Sequence, residues 1–222
     1  MNDFIKEQQH RVGTSTDRIF SRLEDVAKVA NSYRAQVEKI RNEKMYSQEG
    51  REKLVNRAGE DYRANILPLC NQIQREAETI RDALRNMSQT VDFGADLQNA
   101  LNVVKLGKEL PVNVRASLLE TFRGQPWALS VLQSAYQQAE IAHEQYFSGL
   151  TFNENSVDEL DTLTQRVLGS KPGDTVPCYQ LAKAAGKLAQ RVGADNQRKV
   201  ADLQGMERSL SDAIAEACGL TR

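Results

Sequence analysis

Residues 19–40 read IFSRLEDVAKVANSYRAQVEKI, with apolar side chains at Ile19, Leu23, Val26, Ala30, Tyr33, Val37 and Ile40. The steps between them alternate four and three, which is the 3.5-residue repeat of a coiled-coil seam. Such a seam requires a partner surface. The next long stretch supplies one: Leu54, Ala58, Tyr62, Ile66, Leu69, Ile73, Ala77, Ile80, Leu84 and Met87 recur over residues 54–87 at helical spacing. Between the two lies KMYSQEG, where Ser47 is the expected N-cap and Gln48 and Glu49 stand in the first turn of the second helix. Helices over about 16–44 and 48–87 joined by so short a link must fold back as an antiparallel hairpin. Pro68 predicts a kink near residues 64–68, or a break there.

The stripe narrows along the first helix. Phe20 and Ala27 widen it near its start, whereas Arg34, Gln36, Arg41 and Glu43 flank it beyond Tyr33. A broad stripe suits several neighbours and a narrow one a bare two-helix arm. The expectation is a hairpin with a buried base and a tip in solvent, where Tyr33, Met45, Tyr46 and Val55 form a candidate partner-binding surface.

The rest of the chain has a different grammar. Residues 1–15 are expected as a flexible polar leader, with Ser15 or Thr16 capping the first helix. Residues 16–90 are the long hairpin, and 91–150 a compact three-helix unit. In that unit Gly107 and Gly124 stop helices, Asn113 caps one, and Pro126 opens another that buries Trp127, Val131, Ala135 and Tyr136. Residues 151–222 are expected as a shorter hairpin. It starts from a capping box at Ser156 and Glu159 and pairs Leu181, Ala185, Leu188 and Val192 with Val200, Leu203, Leu210, Ile214 and Ala217 of a final helix. The fold class is all-α.

Composition supports this and bounds the function. Hydrophobic residues make up 40% and charged residues 27%, with aromatics at 6% and only 5 Pro, a balance that argues against a sandwich or barrel of many short strands. The formal net charge of -1 gives no global pull toward nucleic acid or anionic lipid, and the hairpin's Arg and Lys are interleaved with Asp and Glu. No apolar run reaches membrane-spanning length, so the chain is read as soluble and made in a cytoplasm. Three separated cysteines make neither a disulfide framework nor a zinc ribbon.

Catalytic signatures are missing. No G-x-S-x-G, G-x-x-x-x-G-K-[ST] or G-x-G-x-x-G occurs. Glu7/His10 and Glu140/His143 have the Glu-x-x-His spacing of ferritin-like metal centres, but no inward Glu on the long seams completes a ligand set. No catalytic, cofactor-binding or metal residues are therefore assigned.

One resemblance is carried by KMYSQEGREKLVNRAGEDYRANI (residues 44–66) and FRGQPWALSVLQSAYQQA (residues 122–139). Both resemble segments of uncharacterised helical structural or assembly proteins of tailed bacteriophages and prophages. In these a Ser-x-Glu-Gly-(Lys/Arg) turn opens a charged helix. The resemblance implies a non-enzymatic protein whose partners are other proteins: copies of itself or phage head components. It also implies that the cytoplasm is a bacterial host's, with the virion as a further location. A bacterial coiled-coil adaptor or secretion-type chaperone is the alternative from the residues alone, and a ferritin-like enzyme a third.

Overall fold

The computed structural model describes residues 3–91, 94–142, 144–147 and 149–196. Among them the protein is all-helical: α1 (Asp3–Asn42), α2 (Gln48–Gln89), α3 (Ala95–Val104), α4 (Val112–Glu120), α5 (Pro126–Gln138), α6 (Glu144–Phe147), α7 (Asp158–Gly169) and α8 (Val176–Val192). The chain divides into two compact units, each assembled from distant parts of the sequence.

The unit made of residues 16–77 and 158–186 contains most of the quoted seam. Ile19, Leu23, Val26 and Ala30 of α1 are fully enclosed, as are Ile66, Cys70, Ile73 and Ala77 of α2. Burying an aliphatic side chain of this size stabilises by roughly 1.5–3 kcal/mol relative to leaving it in water. The register is fixed by contacts across the pair. Arg18 meets Glu76 at 3.4 Å, and the rings of Tyr33 and Tyr62 lie 5.4 Å apart. As α1 advances from residue 18 to 33, α2 recedes from 76 to 62, which only an antiparallel pair can do.

Pro68 neither ends α2 nor divides it. The proline removes one intrahelical donor and leaves the Ala64 carbonyl without its usual i+4 partner. Both residues are exposed, so water can take that bond.

The other unit comprises residues 1–15, 78–157 and 187–196. Its first segment corrects the expectation of a flexible leader: α1 begins at Asp3, Ile5 and Val12 are buried, and so are Gln8, Gln9, Ser15 and Thr16. Ser15 and Thr16 are therefore helix interior and not caps. Polarity in the sequence hid a packed face, because the buried polar groups have partners. The Gln9 amide donates to the carbonyls of Arg123 (3.2 Å) and Val192 (2.8 Å), while Gln8 accepts from Asn86 of α2 at 3.4 Å. Gln8 opposite Asn86 thus ties the start of α1 to the end of α2 within this unit.

The core of this unit gathers Leu97, Ala100 and Val104 of α3, Leu119 of α4, Ala128, Leu129, Leu132 and Tyr136 of α5, and Phe147 of α6. Tyr136 meets Phe147 edge to face at 5.5 Å and donates its hydroxyl to the Arg115 carbonyl at 3.1 Å. The inward face of α5 is thus Ala128, Leu132 and Tyr136, one helical turn apart. Trp127, Val131 and Ala135, expected inward, are only half-buried. Two expected caps also differ. Pro111, not Asn113, precedes α4, where its fixed φ suits the helix entrance. The Ser156 hydroxyl accepts from the Asn153 amide in the turn before α7 and so does not form a capping box. The shorter C-terminal hairpin depended on residues 197–222, which lie outside the described residues; α7 and α8 up to Gly186 belong to the unit with Tyr33 and Tyr62.

Helices α5 and α8 end in the same way. After α8, the amides of Gly193 and Ala194 donate to the carbonyls of Gln190 and Ala189, a Schellman motif with Gly193 at φ 72°. After α5, Glu140 and Ile141 donate to Gln137 and Tyr136, but the residue in the left-handed position is Glu140 at φ 53°. A non-glycine residue there is strained by about 1–2 kcal/mol. Glu140→Gly is therefore expected to raise the melting temperature by about 2–4 °C for a chain of this size, read by differential scanning calorimetry.

Candidate functional site: the hairpin turn

Residues 43–47 connect α1 to α2. The Ser47 hydroxyl accepts from the Gly50 amide at 3.1 Å, confirming it as the N-cap. Glu49 pairs with Lys53 at 2.7 Å one turn along α2. Arg51 is the brace of the turn. Its guanidinium donates to the Tyr46 carbonyl at 3.2 Å and to the Arg41 carbonyl at 3.3 Å, so one side chain closes the last turn of α1 onto the link. The sequence lists Arg51 only as one cation among many. Its place in the first turn of α2, opposite the open carbonyls of α1, is the signal that could have singled it out.

Four residues were expected to form the tip, and the structure separates them. Met45 is 89% exposed, the most open large apolar side chain among the described residues, and Tyr46 beside it is 45% exposed. Val55 is half-buried and lines an open groove of about 580 Å³ with Arg41, Gln48, Arg51, Glu52 and Asn56. Tyr33 lies elsewhere, its ring tilted against that of Tyr62 under the loop between α7 and α8.

That loop, residues 170–175, is a clasp on the hairpin. Gly173, at φ 86°, brings its backbone onto the Tyr33 ring, so that a Cβ there would lie 3.0 Å from a ring carbon. Arg34 donates to the Gly173 carbonyl at 2.5 Å and to the Thr175 hydroxyl at 3.4 Å, and Pro172 rests on Gly59 of α2. The narrow part of the stripe is thus covered as far as Arg34. The solvent-facing end of the hairpin begins beyond it.

Under the clasp, Tyr62 and Cys70 of α2 and Cys178 of α8 are closed from solvent, and both thiols are free. Among the described residues the Tyr62 hydroxyl has no partner at ordinary hydrogen-bond geometry, with the Gly173 backbone beside it. Burial pushes Tyr62 up to about 12, Cys70 up to about 11 and Cys178 up to about 12. Each group's folded pKa is raised above its unfolded value, so the protonated form is the one the fold holds. Their stabilisation is complete below about pH 9 and is lost as pH rises toward 11–12. The urea midpoint is accordingly expected to fall between pH 9 and 11. A flat profile over that range would contradict the burial of these groups.

The remaining candidates from the sequence do not converge. Glu7 and His10 are exposed on α1, Glu140 lies past the end of α5, and His143 lies outside the described residues. Among the described residues no three His, Cys, Asp or Glu side chains gather in a way that could hold a metal ion. Several cations of the hairpin are matched on their own helix: Lys28 lies 2.8 Å from Asp25, whose carboxyl it holds below the usual range, and Arg22 lies 3.5 Å from the same residue. Among the described residues no helix is long and apolar enough to cross a membrane.

No family model, curated protein or solved structure matches this chain.

Proposed function

We propose that the protein is a non-enzymatic structural or assembly protein of a tailed phage or prophage that acts through helix-mediated protein contacts, with the hairpin turn as its contact point. The observation that carries this reading is Met45, almost fully exposed beside Tyr46 on a turn that Ser47 and Arg51 hold in place. An apolar pair on a braced turn presents contact area with little ordering left to lose on binding. Methionine and tyrosine are also enriched in interface cores. The phage assignment comes from the resemblance of residues 44–66, which include this turn.

The test is Met45→Asp combined with Tyr46→Asp, carried by the induced prophage. Both side chains are exposed, so the melting temperature is expected to stay within about 2 °C of the parent, since surface changes stay within about 0.5 kcal/mol. The yield of normal particles is expected to fall at least tenfold. Normal yields from the variant, and from a deletion of the whole chain, would overturn the assembly reading.

A further inference from the structure

In the unit formed by residues 1–15, 78–157 and 187–196, a cleft of about 390 Å³ is lined by Glu120, Arg123, Tyr146, Lys187, Gln190 and Arg191 among others. Its charge is unbalanced. Arg123 is already engaged, bound to Glu120 at 2.5 and 2.7 Å and to the Gln190 carbonyl at 2.6 Å, so these two opposite charges cancel. Lys187 and Arg191 remain. They stand four residues apart on α8, both exposed, and have no ion-pair partner among the described residues. Like charges at this spacing repel, and α8 contains no acidic residue to relieve them.

The ordinary reason for cations near a helix C-terminus is to serve its open carbonyls. Here three of the last four carbonyls have other donors: Ala189 takes the Ala194 amide, Gln190 takes the Gly193 amide and Arg123, and Val192 takes the Gln9 amide. Lys187 lies a turn too early to cap α8, Arg191 adds its charge to the favourable end of the helix dipole while its head group stays open to the cleft, and Tyr146 faces the same cleft.

We propose that this cleft is a docking site for an acidic peptide segment of a partner protein, two carboxylates of which engage Lys187 and Arg191. Side chains four apart on a helix sit about 5–6 Å apart at Cβ, which matches two glutamates four apart on a partner helix. A single small anion on two exposed cations is held weakly, whereas a segment can also cover Tyr146. This surface shares no residue with the hairpin turn, so the two proposals fail independently.

The probe is a fluorescein-labelled alanine-based helical peptide with glutamates every four residues, titrated with the full chain at low salt and followed by anisotropy. Saturable binding is expected, weakened at least tenfold by Lys187→Glu with Arg191→Glu and unchanged by Lys39→Glu with Lys44→Glu on the hairpin. Lys187→Gln with Arg191→Gln, with its melting curve recorded, serves if the charge reversal disturbs folding. Equal binding to the cleft variants, absence of saturation, or tighter cleft-dependent binding of inorganic phosphate or of duplex DNA would overturn the proposal.

Discussion

Leu23→Asp is expected to abolish folding of the unit that contains it. Leu23 is completely buried in the α1 seam, with Ile19, Val26 and Ala30 equally closed from solvent on the same helix. Loss of the leucine contacts alone costs about 2–5 kcal/mol. A carboxylate left there without a cation adds a desolvation cost of several kcal/mol more. Total stability of a domain is only about 5–15 kcal/mol, so the sum is comparable with the whole. Circular dichroism should show a large loss of helix at 25 °C. The same charge placed at Val55, half-buried at the groove by the turn, should cost less than about 1.5 kcal/mol. Equal tolerance at both positions would mean that α1 does not bury this seam.

Gly13→Ala and Gly59→Ala are expected to act with opposite signs, although both glycines lie inside long helices. Helix propensity alone favours alanine at either site by about 1 kcal/mol. At Gly59 the nearest atom to an added Cβ is Pro172 Cγ at 3.5 Å, an ordinary contact, so the gain should be realised. At Gly13 the Cβ would fall far inside contact distance of the Asp195 carbonyl oxygen, a backbone atom that cannot swing aside. Overpacking of that kind costs about 1–3 kcal/mol, which outweighs the propensity. The pair needs only two urea melts. A stabilised Gly13→Ala would show that the chain after α8 does not close on α1.

The hairpin was legible because its signal is redundant: ten apolar positions of α2 and seven of α1 repeat at helical spacing, and most of them are buried. The first fifteen residues were not legible, since Gln8, Gln9 and Ser15 are buried through hydrogen bonds and packing that join residues far apart in the sequence, such as Gln9 with Val192. The inward face of α5 was misread for a related reason. Trp127, Val131 and Ala135 were expected inward with Tyr136, whereas Ala128 and Leu132 line up with Tyr136 and face the core.

At the candidate site, Met45 and Tyr46 could be read from the link alone. Tyr33 could not, because nine residues of helix, roughly 13 Å, separate it from the end of α1, and its cover comes from Gly173, 140 residues away. Arg51 and the clasp around Arg34 were invisible for the same reason: a pattern along one helix does not reveal which carbonyl from another segment will lie within reach.

The central claim is that α1 and α2 close on each other within one chain in the register set by Arg18 and Glu76. The direct measurement places nitroxide labels at Arg18→Cys and Glu76→Cys in a chain whose Cys218 is replaced by serine, with Cys70 and Cys178 shielded by burial. Packed helices lie about 8–10 Å apart, so the labels should show dipolar broadening from a separation of roughly 10–20 Å. That broadening should persist when labelled chain is diluted into unlabelled chain. Broadening that vanishes on dilution would mean the helices are exchanged between chains, and its absence at any dilution would mean the register is wrong; either result contradicts the account.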